Sequence, residues 1–324
     1  AMKAGKHVYT QKPLTHSVWE ARQLRKIAHR TGVTTQMGNQ GHSGQYTAAA
    51  RDWIRSGAIG QVQEVWMWSD SDYFEKEPSL APIPESLHYQ LWLNRRPYEP
   101  FRSEFHPQQW RRWYHFGGGE LADMGCHQMD ITYYSLDLGV PEKVMADPGD
   151  HWPVPNSWPR SKTITWQFPA RGDRPPLRLR YFLIDGLPVS EHVPRPPHLG
   201  SDRSLYKCGT AIVGDKGTLV HGSHGQDPQI LPLERMKEVG DPPRNSPRLD
   251  YSHHVSWVKA CKGEGRALSS FEYGGPMTEL ILLGVLALRS EDREITWDPK
   301  AMKTSDEGVN HFVSGPEPRK GWEI

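Results

Sequence analysis

The stretch Phe116 to Asp130, FGGGELADMGCHQMD, concentrates the residues of this chain that could do chemistry. Asp123 and His127 stand four positions apart, so a helix over Leu121 to Leu138 would present both side chains on one face, one turn apart. A carboxylate beside an imidazole can orient the ring and hold its proton, as a general acid/base near neutral pH requires. The same pair also fits a first-turn helix charge and a satisfied, half-buried ring with no part in chemistry. Gly117, Gly118 and Gly119 let the backbone turn sharply or pass close to a ligand. Asp123, Cys126 and His127 have the donor types of a zinc site. Helical geometry turns Cys126 away from the other two, so no metal site is read here.

The chain around this stretch has 324 residues, enough for one large or two ordinary domains. Its 39 basic and 38 acidic residues leave no net field, which argues against a nucleic-acid binder relying on phosphate neutralisation. Thirteen tryptophans suit clefts for polar, ring-shaped ligands, because their rings combine apolar faces with a polar edge. Cys126, Cys208 and Cys261 are odd in number and far apart, so they form neither a disulfide framework nor a Cys-x-x-Cys site. The longest apolar run, Leu280 to Leu288, is about half the length of a membrane span. No signal core is visible at the N-terminus.

The positioning elements can be read in order. His7 to Thr10 predicts a strand, Thr15 or Ser17 caps a helix to about Arg30, and Val33 to Met37 predicts a second strand. That βαβ unit implies a parallel sheet, whose open edge calls for a segment preceding Ala1. The loop GNQGHSG follows, then a helix from Tyr46 to Ser56. Asn39 and His42 in that loop lie at the carboxyl end of the parallel strands, where α/β folds bind ligands; ordinary loop polarity explains them as well. Val62 to Asp70 alternates, with Val62, Glu64, Trp66 and Trp68 on one face. Further strands are expected at Lys143 to Asp147, Lys162 to Phe168, Leu177 to Leu183, Ala211 to Gly214 and Thr218 to Gly222. The turn Gly214-Asp215-Lys216-Gly217 is a hairpin whose glycines supply positive φ. Tyr73 to Pro107 reads as an irregular excursion, Pro153 to Pro159 as a turn, and Asp185 to Ser204 as a lid or subunit arm. Helices are expected over Asp250 to Lys262, with Val255 and Val258 inward, and over Gly275 to Arg289. The class is α/β, α+β overall: a parallel Rossmann remnant followed by a large, mostly antiparallel open sheet with helices on one face. Just before the glycines, Trp110, Trp113 and Tyr114 could stack on a sugar ring or simply pack as core.

Two stretches together, AGKHVYTQKPL (Ala4 to Leu14) and GGGELADMGCHQMD (Gly117 to Asp130), resemble the paired signatures of the Gfo/Idh/MocA oxidoreductases, the glucose-fructose oxidoreductase and inositol dehydrogenase group. The resemblance continues through PEKV at Pro141, VGDKGTL at Val213, ITWD at Ile295 and RKGWE at Arg319. It implies a Rossmann domain binding NAD or NADP and a C-terminal α/β domain that covers the active site and often mediates oligomerisation. On that pattern residues 1–40 are the end of the dinucleotide-binding domain and 41–324 the substrate domain. The G-x-G-x-x-G turn, which brings pyrophosphate to a helix N-terminus, does not occur in the sequence, and Gly263-Glu264-Gly265 is no substitute.

The resemblance assigns Lys12, Asp123 and His127 to catalysis, with the histidine as general base. Gln11, Lys12, Pro13 and Asn39 fall to the cofactor, and His42, Trp113 and Tyr114 to the substrate. Gln11 stands where the family usually has glutamate, which removes one charge partner from Lys12. The expected activity is oxidation of a secondary hydroxyl of a sugar, polyol or glycoside, including transient oxidation coupled to glycoside cleavage. The expected partners are a small carbohydrate and further copies of the chain joined through the open sheet, with no nucleic acid and no membrane span. The alternative is a non-catalytic carbohydrate-binding or oligomerisation module. The compartment is left between cytoplasm and periplasm.

Overall fold

The computed structural model describes residues 1–323 except 71–77, 148–155, 160, 185, 201–202 and 291–293. Where the expected excursion, turn and arm fall on those positions, they lie outside the described residues. β1 (Val8–Gln11) and β2 (Thr35–Gly38) pair in parallel, joined by α1 (Val18–Thr31). Ser17 starts α1 with a capping box: its side chain accepts from the Glu20 amide, and Glu20 accepts from the Ser17 amide. Gly32, at φ 65°, ends it. α2 (Gln45–Arg55) then leads to β3 (Val62–Ser69).

In chain order there follow α3 (Tyr89–Leu93), α4 (Gly119–Gln128), α5 (Asp130–Leu136), β4 (Lys143–Ala146), β5 (Ser161–Phe168), β6 (Leu177–Ile184), α6 (Val189–His192), β7 (Cys208–Gly214), β8 (Thr218–Gly222), β9 (Gln229–Leu231), α7 (Leu233–Val239), α8 (His253–Cys261), α9 (Phe271–Arg289) and β10 (Glu294–Ile295). The large sheet has eight strands in the order β10-β4-β5-β6-β3-β7-β8-β9. Every neighbouring pair in it is antiparallel except β3 with β6. The α/β class and the mostly antiparallel sheet expected from the sequence are therefore observed.

α9 organises the helical layer. It is apolar on nearly every side, and it is buried between α1, α4 and strands β2, β4 and β5. By length and composition alone it would suffice to cross a membrane, yet most of it lies inside the fold. At about 1.5–3 kcal/mol for each buried aliphatic side chain, Leu280 to Leu288 contribute much of what holds the layers together. Arg22 fixes α1 against α9 with a two-pronged ion pair to Glu279, at 2.6 and 2.8 Å. On the opposite face of the sheet a second cluster (Trp66, Trp68, Phe182 and Ile184) is covered by Val189, Val193, Leu199 and Tyr206.

Four expectations change. The helix from Leu121 to Leu138 is two helices with Met129 between them. There the Thr210 hydroxyl donates to the Gln128 carbonyl at 3.1 Å, taking an acceptor out of the helical ladder. The register of β3 shifts between Val62 and Glu64, so Val62 joins Val65 and Met67 in the main core while Trp66 and Trp68 face the other way. In α8, Val255 and Val258 are exposed, and the buried side is His253 and Ser256. That helix packs on the backbone of β2, with Gln36 donating to the His253 carbonyl and the His253 ring against the Met37 carbonyl at 2.8 Å, so its inner face is polar. Gly214 and Gly217 do flank the β7–β8 turn, but neither has positive φ. Gly214 is needed for space: a Cβ there would collide with the Ile59 carbonyl.

Gly119 combines both demands on a glycine, with φ 63° and the Trp158 ring 2.5 Å from where a Cβ would stand. Gly119→Ala is expected to destabilise the protein by at least about 2 kcal/mol, read as a lower urea midpoint with an unchanged slope. A midpoint equal to that of the unaltered protein would contradict this packing.

Candidate active site

Lys12 leaves the carboxyl end of β1 and crosses to α4. Its ammonium donates to the Asp123 backbone carbonyl at 2.7 Å and forms an ion pair with the Asp123 carboxylate. Both side chains are mostly shielded, 18% and 15% exposed. A second cation stands on the same carboxylate, with Arg111 Nε 3.5 Å from Asp123 Oδ1. Gly117 makes that approach possible, because a Cβ there would lie 2.7 Å from the Arg111 backbone. The glycine run thus serves as clearance for the segment that carries Arg111.

His127, one turn beyond Asp123 on α4, is 4% exposed. Its ring stacks on His224 with centroids 3.8 Å apart and planes tilted by 31°. His224 reaches that position from a backbone at φ 60°, a conformation few non-glycine residues adopt. His127 Nδ1 is buried and has no hydrogen-bond partner among the described residues. The arrangement therefore differs from a carboxylate that clasps an imidazole. Asp123 Oδ1 meets both Lys12 and Arg111, and the carboxylate acts on His127 through charge, while His224 stacks on the ring.

Burial lowers the His127 pKa to about 3, with further lowering from His224 and Lys12 and a smaller opposing pull from Asp123. His127 is thus a neutral imidazole with a free nitrogen at physiological pH. Cys126, buried beside it, donates weakly to the Ala122 carbonyl, and burial pushes its thiol up to about 12.

The other expected site residues lie elsewhere. Asn39 and His42 turn inward to Asp130: Asn39 Nδ2 donates to its carboxylate at 3.0 Å, and His42 Nδ1 lies 3.0 Å from both oxygens. The Tyr273 hydroxyl donates to the same carboxylate at 2.7 Å, and Ser269 donates to Asn39. This network knots β2, α5 and α9 together and leaves both residues buried. Trp113 packs on Phe105, and Tyr114 lies between Trp158, Phe312 and the Arg289 guanidinium, both as core. Gln11 is exposed at the end of β1, with its amide oxygen 3.3 Å from Gln40 Nε2. The structure therefore brings Lys12, Asp123 and His127 together and adds Arg111 and His224, which sequence reasoning missed. No local pattern announces either one: Arg111 comes from the short turn ahead of α4, and His224 from the turn after β8. A cleft of about 1090 Å³ lies away from this cluster between α1, α2 and α5. Two of its lining acids are paired, Glu279 with Arg22 and Glu272 with Arg25, and none of the expected site residues lines it.

Residues 58–167, which include Arg111, Asp123 and His127, match the family model for the oxidoreductase family, C-terminal alpha/beta domain, of the Gfo/Idh/MocA type. Over those residues the chain resembles a Gfo/Idh/MocA oxidoreductase. Its fold is similar to that of the aldose-aldose oxidoreductase from Caulobacter crescentus solved with glycerol, at a TM-score of 0.55 and 16% identity over 91% of this chain and 73% of that one. It is also similar to the WlbA dehydrogenase from Bordetella pertussis, solved with NADH and UDP-GlcNAcA, at 0.56 and 14% over 92% and 73%. A levoglucosan dehydrogenase solved with NADH and L-sorbose gives 0.55 and 15% over 91% and 74%. At such identities the likeness is one of fold. No curated protein matches the chain. Within the matched segment α4 carries Asp123 and His127, while Lys12 and His224 come from outside it.

Two predictions follow from the charges. Replacing Lys12 by Met removes one cause of the lowered His127 pKa and leaves Asp123 less neutralised, so the His127 pKa should rise, read by histidine NMR titration. A fall would show that Lys12 does not face the ring. His127 and His221 are both buried and held neutral, His221 at about 4, so the unfolded chain binds protons that the folded one refuses as pH drops below about 6.5. Stability should decline from pH 7 to pH 5 by up to about 1.4 kcal/mol per pH unit for each histidine. A urea midpoint constant over that range would contradict it.

Proposed function

We propose that this protein oxidises a secondary hydroxyl of a sugar, polyol or glycoside with NAD or NADP, using His127 as the general base. The observation that carries the reading is the buried, neutral His127 whose Nδ1 is unpartnered beside the Lys12–Asp123 ion pair. A free acceptor nitrogen next to a fixed ammonium is what an alcohol hydroxyl needs: a site for its proton and a positive charge for its oxygen.

The residues present fit the reactive end of a nicotinamide cofactor. The unpartnered nitrogen has no protein group competing for a substrate proton, and Gln11, Lys12 and Pro13 at the carboxyl end of β1 would hold the nicotinamide ring. Bound there, the oxidised cofactor supplies the hydride acceptor. His127 Nδ1 takes the hydroxyl proton. Its low basicity is sufficient, because the oxygen becomes strongly acidic as the carbinol carbon turns into a carbonyl. Lys12 stabilises negative charge on that oxygen, and Asp123, which Arg111 also contacts, holds Lys12 in place. Asp123 compensates one of the two cations, so the cluster keeps a net positive charge that favours a developing alkoxide.

The test is turnover, followed by nicotinamide absorbance, over a panel of sugars, polyols and glycosides with each cofactor. His127→Asn should lower the rate by about 10²- to 10⁴-fold while leaving the folded protein intact by circular dichroism. The rate in the unaltered protein should stay level from pH 7 to pH 5, because protonation of His127 lies far below its ordinary value. Undiminished turnover in the variant, or an absence of both cofactor binding and turnover in the unaltered chain, would overturn the reading.

A further inference from the structure

A groove of about 460 Å³ runs beside the candidate active site, and none of the assignments above uses it. Its walls come from four parts of the chain: Trp19 and Leu24 on α1, Trp92 at α3, Trp110 and Phe116 ahead of α4, and Trp322 near the C-terminus. All six are half-buried, so each keeps part of its apolar surface open. Leu14, two residues beyond Lys12, also lines it. The volume lies within the range of about 300–1,000 Å³ typical of sites for small organic molecules.

The walls are held in place. Arg319 donates to the Asn94 carbonyl at 3.1 Å and the Gln90 carbonyl at 2.8 Å, which anchors the C-terminal segment on the end of α3. Its guanidinium lies 4.9 Å from the Trp322 ring. Arg95 pairs with Glu20 at 3.1 Å and lies 5.5 Å from the Trp19 ring. The rim therefore carries fixed donors and acceptors, including Gln23 and Asn94, around an aromatic interior.

One side chain joins the groove to the chemistry. The Arg111 guanidinium lies 4.4 Å from the Trp110 ring, and its Nε is 3.5 Å from Asp123 Oδ1. A ligand stacked on Trp110 is thus one guanidinium away from the Lys12–Asp123–His127 cluster. Aromatic faces ringed by charged and amide groups suit a molecule with apolar C–H faces and hydroxyl edges, or an aromatic ring carried by one. An aliphatic chain would use the interior and leave the rim unpaired; a free monosaccharide would fill the catalytic side and leave the groove empty.

We propose that this groove is a subsite for the second unit of the substrate, a sugar or aryl group attached through a glycosidic oxygen to the ring being oxidised. The proposal rests on the oxidoreductase reading above and narrows its substrate class to glycosides and short oligosaccharides. Recognition of the attached unit comes from stacking on Trp110, Trp92 and Trp19, with Arg95, Glu20 and Asn94 meeting its hydroxyls.

The test is binding without turnover, followed by tryptophan fluorescence and saturation-transfer NMR on the full chain. The probes are matched pairs of methyl and p-nitrophenyl glycosides of glucose, galactose and N-acetylglucosamine, with cellobiose. In at least one pair the aryl glycoside should bind about tenfold or more tighter than its methyl partner, equivalent to about 1.4 kcal/mol. Trp110→Ala should cut that ratio to below about threefold, and Trp110→Phe should restore part of it. Trp322→Ala, at the rim, provides a second reading if Trp110→Ala fails to fold. Equal affinities in every pair, or a ratio unchanged in both alanine variants, would overturn the subsite. If aryl glycosides bind in the groove but no sugar is oxidised, the catalytic reading fails and the subsite stands; if monosaccharides are oxidised with no preference for glycosides, the reverse holds.

Discussion

The contact between Lys12 and Asp123 is the constraint on which the site depends. It joins the end of a two-stranded parallel sheet to a helix packed on an eight-stranded mixed sheet. Shielding such a pair costs desolvation that the attraction only partly returns, so its value lies in position more than in stability. Each consequence at the site passes through it. Asp123 is turned to the cations and away from the imidazole, Lys12 is held beside His127, and the positive charge helps keep that ring unprotonated.

Around this contact the scaffold supplies rigidity by two different means. α9 does so with apolar area, locking α1 and α4 to the sheet. Asp130 does so with hydrogen bonds, drawing Asn39, His42 and Tyr273 to one carboxylate three residues past His127. The second device explains why polar residues at the carboxyl end of β2 are buried in a fold whose ligands usually gather at such ends. Their polarity is consumed in fixing the helix junction, and that junction in turn sets the direction of His127.

Much of this was legible in the sequence where the signal was local. A cap at Ser17, strands over Lys162 to Phe168 and Leu177 to Leu183 and the βαβ start all emerge as read, because each depends on neighbours within a few residues. The spacing of Asp123 and His127 likewise placed both on one helix. What escaped depends on contacts made at long range. A single bulge sends Val62 to the opposite face from Trp66, and a polar partner in β2 reverses which side of α8 is buried. Among the aromatics before the glycines, Trp113 and Tyr114 go to the core while Trp110 stays open, a sorting decided by the folds of the 89–116 segment and invisible to composition. His224 and Arg111 carry no pattern of their own and join the site from the turn after β8 and the segment just ahead of α4.

Cys126 gives the site an unintended reporter. Its thiol is buried next to His127, and its pKa near 12 leaves almost no thiolate to react. Cys208 and Cys261 are less buried and would be modified first by an alkylating reagent. Labelling at Cys126 therefore measures how often α4 loosens from its surroundings, since only such an opening exposes the sulfur. The rate of that slow modification, compared with and without a bound ligand, reads the breathing of the catalytic helix directly from a position that touches no ligand itself.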